Sequence, residues 1–210
     1  MFFIKNAKFR IMYRKDRKNE FYTEKARKEG YPARSVYKLK EIIEKYNLIK
    51  KGDMVLDLGC APGSWLMYIS KIVGEKGKVV GVDIEDIKIR PEINILFIKK
   101  DVREIKDFEI ESFCKKYQVV VSDLAPETSG IKAVDAGRCL ELSEGAFELA
   151  KKFLVPGGNF VCKTFEGEFS NEFFKKVSKY FQFTKRYRPK AVIKGSREFY
   201  IIAKKYDNKK

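Results

Sequence analysis

Charged residues follow several short apolar runs of this sequence, a pattern that can bring chemistry to one edge of a protein. Four of them are Asp83, Asp101, Asp123 and Lys163. In open α/β sheets ligands bind at the carboxyl ends of the strands, so side chains at these positions are candidates for binding and catalysis. The chain contains no histidine. Carboxylates are weak bases at neutral pH, so a lysine with a lowered pKa is the candidate for the general base.

A glycine-rich turn, GCAPG from Gly59 to Gly63, follows the apolar run Val55–Leu58. Glycine adopts positive φ and lets a ligand approach the backbone, and the helix predicted from Ser64 would point its amides into the same space. The turn therefore favours a nucleotide-like cofactor, with an ordinary strand-to-helix turn as the alternative. Asp83 lies 24 residues after Gly59, close to where the second strand of a βαβ unit places an acid on ribose hydroxyls.

The turn differs from the G-x-G-x-x-G pattern of nicotinamide and flavin enzymes. Ala61 occupies the position of the second glycine, and Pro62 stiffens the loop. Because a pyrophosphate would fit such a loop poorly, the sequence favours a cofactor without phosphates. It disfavours a nicotinamide-dependent oxidoreductase.

Helical and strand patterns alternate along the chain. An amphipathic helix is predicted by the spacing of Leu39, Ile42, Ile43 and Tyr46, and a second by that of Leu66, Ile69, Ile72 and Val73. Strands are predicted at 55–58, 78–84, 94–98, 118–121 and 159–162, with an antiparallel pair at 183–188 and 198–203. This order predicts an α/β fold with a mainly parallel sheet and an antiparallel C-terminal edge hairpin.

Capping, polar, proline and glycine residues predict the bounds of other segments. Asp101 could cap a helix at 102–105, and the polar segment Glu127–Asp135 is predicted as a mobile loop over the site. The next helix is predicted to stop at Pro156-Gly157-Gly158. A further helix is predicted at 168–180.

Five segments read DLGCAPGSW, VDI, KKDV, SDLAP and KTFEGE. They closely resemble the FtsJ-type (RrmJ-like) ribose 2′-O-methyltransferases, and the resemblance runs from about Arg14 to Lys205. It implies the Rossmann-like, seven-stranded methyltransferase fold with S-adenosylmethionine as the cofactor. The implied reaction is methyl transfer to the ribose 2′-hydroxyl of an RNA nucleotide, with a uridine of large-subunit (23S-type) ribosomal RNA as the expected target.

The resemblance also implies site residues. The family's catalytic tetrad falls on Lys38, Asp123, Lys163 and Glu198. Besides Gly59 of the turn, the implied cofactor contacts are Gly63 and Trp65 in the loop, Asp83 on the ribose, Asp101 on the adenine, and Asp123 at the methionine end. Trp65 has an alternative role as an anchor of its helix in the core.

Lys163 is expected to accept the hydroxyl proton. A charged Lys163 that stabilises a forming alkoxide is the alternative, because Lys38 would repel its ammonium form while Asp123 and Glu198 would stabilise it.

Positive charge is concentrated in two segments. The formal net charge is +16, and residues 1–50 hold 15 Lys and Arg against 6 Asp and Glu. The segment Thr184–Lys194 contains five basic residues and no acid. An RNA partner is indicated, with a merely lysine-rich surface as the alternative. The predicted RNA-binding residues are Arg14, Arg17, Lys18, Arg34, Arg186 and Arg188, and aromatic residues among these charges could stack on unpaired bases.

The chain is predicted to contain a basic RNA-binding arm or short helix at 1–30, a single methyltransferase domain at 31–206 and a polar tail at 207–210. Four cysteines without C-x-x-C spacing, in a chain without histidine, predict reduced thiols in a cytoplasmic protein and no metal site. The protein is expected to be a monomer. No apolar run is long enough to cross a membrane. The alternative functions are methylation of a tRNA anticodon loop and a non-catalytic RNA-binding module on a decayed methyltransferase fold, against which the intact tetrad argues.

Overall fold

The computed structural model describes residues 20–207. Arg14, Arg17 and Lys18, most of the predicted arm and residues 208–210 of the predicted tail lie outside this range. Within residues 20–207, no helix has the length and apolar character that crossing a membrane requires.

Six helices are seen in residues 20–207. Residues 20–28 are helical (α1), and the others are α2 (Val36–Tyr46), α3 (Ser64–Val73), α4 (Asp107–Glu111), α5 (Lys132–Phe153) and α6 (Ser170–Ser178). The apolar stripe of α2 is buried as predicted. The predicted bounds of α3 agree with the structure because Gly74 follows its last apolar residue and ends the helix.

Seven strands form one sheet in the order β3-β2-β1-β4-β5-β7-β6. They are β1 (Met54–Leu58), β2 (Lys78–Asp83), β3 (Ile95–Lys99), β4 (Tyr117–Ser122), β5 (Leu154–Phe165), β6 (Phe181–Tyr187) and β7 (Glu198–Tyr206). The first five strands run parallel, and β7 is antiparallel to both β5 and β6. The structure confirms the α/β class and the mainly parallel sheet with antiparallel C-terminal strands.

Both faces of the sheet are covered. One core packs α2 and α3 on the sheet through residues such as Leu39, Ile42 and Leu66. The other packs α5 and α6 through Phe147 and Phe173. Because both faces are buried, the parallel strands are nearly continuous apolar runs, and a charged residue within or after one of them stands out.

The helical residues 20–28 do not extend away from the domain. Ala26 is buried with Tyr31, Val36 and Tyr37, and Ala191 closes this small cluster. The last turns of the predicted arm therefore rest on the domain, and their boundary with it stays a prediction.

Three segment predictions need correction. Helix α5 begins at Lys132, so the loop after β4 is shorter than 127–135. Two polar residues, Lys132 and Asp135, lie in its first turn, and Asp135 accepts hydrogen bonds from the Ser129 amide and hydroxyl (both 2.7 Å). Residues 102–104 form a turn, and the helix lies later, in α4.

The third correction concerns β5, which already begins at Leu154 and includes the Pro156-Gly157-Gly158 segment that was predicted to separate helix from strand. The register between β4 and β5 shifts between Tyr117 and Val119. An irregularity of this kind tolerates a proline, because the missing N–H is not needed there for the ladder.

Candidate active site

The carboxyl ends of the central strands border a cleft of about 670 Å³. Its lining includes Gly59 after β1, Asp83 at the end of β2, Asp101 after β3 and Asp123 after β4. Four sequence-predicted residues are thus brought to one cavity. Their meeting follows from the parallel topology, which puts all four strand ends at the same edge.

The glycine turn lets the backbone approach the neighbouring strand end. Gly59 has φ 78°, and a Cβ there would lie 2.8 Å from the Leu124 amide nitrogen. Any other residue would collide with backbone atoms and adopt an unfavourable φ. The glycine therefore keeps the cleft floor open where β1 and β4 end.

Asp83 organises this turn with both carboxylate oxygens. Oδ2 accepts a hydrogen bond from the Ala61 amide (2.8 Å), and Oδ1 accepts one from the Glu85 amide (2.9 Å). Each oxygen keeps a second lone pair for a ligand hydroxyl. Asp83 thus combines a structural role in the loop with a position in the cleft lining.

Asp101 pairs with Arg103 rather than capping a helix. The Arg103 Nε–Oδ1 distance is 3.0 Å, and the Arg103 amide also donates to Oδ1 at 2.9 Å. The hydrogen bonds from the Arg103 side chain and amide lower the pKa of Asp101, so this carboxylate is ionised at neutral pH. It presents a fixed acceptor to the cleft.

Gly63 and Trp65 are not among the residues that line the cleft. A Cβ on Gly63 would lie 2.8 Å from Ile89 Cγ1. Trp65 is 2% exposed, and its indole N–H donates to the Ser35 carbonyl at 3.0 Å. The observed contacts of Trp65 are those of a core anchor, and a contact of either residue with a cofactor stays a prediction.

The four residues of the predicted tetrad lie together beside this cleft. Lys163 Nζ lies 3.1 Å from Asp123 Oδ1, and Lys38 Nζ lies 2.6 Å from Glu198 Oε1. The two ion pairs are joined by Tyr200, whose hydroxyl oxygen is 2.7 Å from Asp123 Oδ1 and 3.0 Å from Glu198 Oε1. Lys163 Nζ also donates to the Asp123 carbonyl.

Strand order explains how these distant residues meet. Strand β7 runs antiparallel to β5, so its first residues pair with the last residues of β5: Lys163 lies opposite Tyr200, and Phe165 lies opposite Glu198. Asp123 follows β4, the other neighbour of β5. Lys38 reaches the group from the first turns of α2.

Burial makes these charges depend on one another. The Lys163 side chain is only 6% exposed, and that of Asp123 is 15% exposed. Burial alone would raise the pKa of Asp123, but Lys163, Lys38 and the Tyr200 hydroxyl outweigh it, and the pKa is lowered. Burial alone would lower the pKa of Lys38, but Asp123 and Glu198 outweigh it and raise the pKa. Both groups are therefore charged at neutral pH.

Tyr200 was not identified from the sequence. Burial raises the pKa of Tyr200 well above the ordinary value, and the adjacent Asp123 and Glu198 act in the same direction. The hydroxyl therefore stays protonated and can donate a hydrogen bond to a carboxylate. Its position two residues after Glu198 puts both side chains on one face of β7. That spacing from Glu198 is the signal in the sequence that could have identified Tyr200.

Asp57 is a second residue that sequence reasoning missed. It is fully buried in β1, and neither carboxylate oxygen has a hydrogen-bond partner among the described residues. Desolvation raises its pKa well above the ordinary value, and the nearby Asp123 and Asp83 raise it further. A lone acid within an apolar run was its signal in the sequence.

The predicted RNA-binding arginines that the structure describes differ in their surroundings. Arg186 is half-buried, stacks on Phe174 and Phe199, and donates to the Ser170 carbonyl. Arg188 is exposed but donates to the carbonyls of Ile193 and Ser196. Arg34 is half-buried near Lys38. The Arg186 side chain therefore mainly contacts the protein itself, which makes it the weakest of these candidates for RNA binding.

The fold and this site define a class: an α/β methyltransferase with its cleft at the carboxyl edge of a seven-stranded sheet. Residues 31–206 match the family model described as FtsJ-like methyltransferase. The chain belongs to this family, as the sequence motifs indicated.

Its relatives extend across bacteria and archaea. The chain is 45% identical over 183 residues to the ribosomal RNA large subunit methyltransferase E of Desulfatibacillum aliphaticivorans, covering 87% of this chain and 88% of that protein. It is 40% identical over 200 residues to the protein of the same name from Methanocaldococcus jannaschii, covering 92% and 81%. A crystal structure from Plasmodium falciparum, assigned as a ribosomal RNA methyltransferase, superposes with a TM-score of 0.75 at 27% identity and covers 84% of this chain and 98% of that one.

Proposed function

We propose that this protein transfers a methyl group from S-adenosylmethionine to the ribose 2′-hydroxyl of a nucleotide in large-subunit ribosomal RNA, with a uridine as the acceptor. One observation carries the proposal: Asp123 lines the cleft and also contacts Lys163. A cofactor in the cleft and a base for the acceptor are therefore neighbours, as direct transfer between two bound substrates requires.

The charge of the cleft supports this cofactor. Six carboxylates line it against two guanidinium groups, those of Arg103 and Arg138, although the whole chain carries a formal net charge of +16. A ligand with sulfonium and ammonium groups is attracted by such surroundings, whereas the pyrophosphate of a dinucleotide is repelled. The residues present fit S-adenosylmethionine.

Individual residues would divide the binding between them. Asp83 would accept hydrogen bonds from the ribose hydroxyls, Asp101 would accept one from the adenine amino group, and Gly59 would admit the ligand to the backbone. Asp123 would face the methionine end. When bound, S-adenosylmethionine supplies an electrophilic methyl group.

In the proposed mechanism Lys163 accepts the proton of the 2′-hydroxyl as the oxygen gains the methyl group. The chain offers no histidine for this task. Asp123 then stabilises the ammonium that forms, while Lys38 and Tyr200 hold Glu198 and Asp123 in place.

The relatives favour ribosomal RNA over tRNA as the substrate, because those at 40–45% identity are named as large-subunit methyltransferases. Residues 1–30 are proposed to contact this RNA through Arg14, Arg17 and Lys18, and residues 31–206 to form the catalytic domain. We further propose that the protein acts as a monomer in the cytoplasm.

The test is methyl transfer from labelled S-adenosylmethionine to naked large-subunit ribosomal RNA, to assembled large subunits and to bulk tRNA, followed by mapping of the modified nucleotide. We expect a 2′-O-methylated uridine in the ribosomal substrate. Label in tRNA alone would show that tRNA, and not ribosomal RNA, is the substrate. Cofactor binding without transfer to any RNA would instead support a non-catalytic module.

A further inference from the structure

A second surface of the described chain combines cations with aromatic rings, away from the tetrad. It is a groove of about 400 Å³ lined by Lys45, Tyr46, Gln182, Phe183, Lys204 and Lys205; we call it the distal groove. Along β7, Lys204 lies six residues beyond Glu198, about 20 Å at the rise of a strand. Along α2, Tyr46 lies eight residues beyond Lys38, about 12 Å at the rise of a helix.

The lysines of the distal groove are oriented without being neutralised. Lys45 Nζ lies 4.3 Å from the centroid of the Tyr187 ring and 5.9 Å from that of Tyr46. Lys204 Nζ donates to the Tyr46 carbonyl at 2.8 Å. No carboxylate belongs to the lining formed by the described residues. Rings and carbonyls fix an ammonium group but leave its charge, so the groove attracts a polyanion.

An exposed aromatic ring completes the groove. Phe183 is 41% exposed on β6, the outer strand of the sheet, and its ring centroid lies 6.2 Å from that of Tyr46. Unpaired bases stack on such rings, and stacking between lysines is the usual arrangement for single-stranded nucleic acid. An acidic peptide would use the cations but has no base to place on Phe183.

The backbone at Lys205 is also unusual. Among the residues described, only Asn47 and Lys205 combine a side chain with positive φ, and Lys205 has φ 61°. Asn47 is the C-cap of α2, where this conformation is ordinary. Lys205 lies within β7 and its side chain is exposed. Backbone strain of this kind clusters at ligand sites, where it aims a side chain.

We propose that the distal groove is a second RNA-binding site, in which Lys45 and Lys205 contact phosphates and Phe183 stacks on an unpaired base. This inference rests on the proposed function, because the occupant is the RNA whose ribose is methylated at the tetrad. The groove anchors the RNA and takes no part in the chemistry.

The test compares variants of the full chain in binding to naked large-subunit ribosomal RNA across a salt series. Lys45→Glu with Lys205→Glu should weaken binding about tenfold or more and reduce the log–log salt slope by about 2, one for each phosphate contact. Phe183→Ala should weaken binding about fivefold or more through lost stacking. The single-turnover methylation rate at saturating RNA should stay within about twofold of wild type, because the chemistry is untouched.

Matched controls lie elsewhere on the surface. Lys76→Glu with Lys115→Glu reverses two exposed lysines, and Phe113→Ala removes a ring that is 44% exposed. Lys205→Gly guards against misfolding, because glycine adopts positive φ without strain while losing the cation. It should keep the native fold and still weaken RNA binding.

Two results would overturn the proposal. One is a loss of affinity no greater than in the controls. The other is unchanged binding to naked RNA with reduced methylation of assembled subunits, which would make an acidic segment of a ribosomal protein the occupant. Since binding is read without turnover, a wild type that binds RNA through this groove but never methylates it would refute the proposed function and support the second site.

Discussion

The two halves of the sheet's carboxyl edge hold their charges in different ways. In the cofactor half, at the ends of β2 and β3, the partners are close in sequence. Asp83 accepts hydrogen bonds from the amides of Ala61, 22 residues before it, and of Glu85, 2 residues after it. Asp101 pairs with Arg103, 2 residues after it. In the acceptor half, formed by the ends of β4 and β5 and the start of β7, Lys163 meets Asp123 across 40 residues and Tyr200 meets Asp123 across 77. The first half belongs to one βαβ region, whereas the second requires the complete sheet.

Burial follows the same division. Asp101 keeps a partner, Arg103, whose side chain is 73% exposed, so water screens that pair. Lys163 and Asp123 have little access to water, and removing one partner leaves the other charged and poorly solvated. Substitutions of the charged residues in the acceptor half should therefore have the larger effects, and the following experiments test this in order of expected size.

Lys163→Met should reduce single-turnover methylation by about 10² to 10⁴, the usual contribution of a general base, with cofactor affinity nearly unchanged. Lys163→Arg separates the two roles of this residue, because arginine keeps the positive charge but does not lose its proton. Equal loss in both variants supports proton removal. Substantial activity in Lys163→Arg would show that the cation stabilises a forming alkoxide instead. Lys176→Met is the control, because it removes an amine from the surface of the protein.

Asp123→Asn should destabilise the fold by about 3 kcal/mol or more at neutral pH, because Lys163 and Lys38 lose their shared counter-charge. The folded pKa of Asp123 lies below its ordinary value of 3.8, so its contribution is present above pH 3.8 and is lost as pH falls through the folded pKa. Urea unfolding at several pH values measures this. If the difference in unfolding free energy between Asp123→Asn and wild type did not become smaller at low pH, the ion-pair explanation would be contradicted.

Asp83→Ala should weaken S-adenosylmethionine binding by about 1.5 to 3 kcal/mol, the range for hydrogen bonds to a charged group. Calorimetry provides the measurement. Asp86→Ala removes a nearby exposed carboxylate that pairs with Lys99 and should leave affinity unchanged. Equal affinity in wild type and Asp83→Ala would remove Asp83 from the cofactor site.

Tyr200→Phe should have the smallest effect on methylation, a modest fall in rate, together with a loss of about 1.5 to 3 kcal/mol in stability for one hydrogen bond to a charged group. Tyr206→Phe loses a hydrogen bond to a neutral group, the Lys151 carbonyl, far from the tetrad. It should lose about 0.5 to 1.5 kcal/mol in stability without slowing methylation. If both variants methylate at the wild-type rate, the hydroxyl of Tyr200 does not position the tetrad.

Sequence reasoning was accurate where local rules apply. The predicted strand at 118–121 lies inside β4, and the predicted helix end at Gly74 agrees with α3, because apolar runs and glycine act on their immediate neighbours. It failed at Pro156, where a proline that usually ends a segment is accommodated by a register shift against β4. It also missed the short helix α4, which has too few residues to show a period.

The sequence by itself determined the order of the strands along the chain, the glycine turn at Gly59, the family and the excess of positive charge. These depend on residue type and spacing alone. Only the tertiary structure decided that Tyr200 joins the two ion pairs and that Lys45 and Lys205 share a groove with Phe183. It also decided that Asp57 is buried with no hydrogen-bond partner within residues 20–207. Burial and pairing are properties of segments that are distant in sequence, and they exist only when the strand order has brought those segments together.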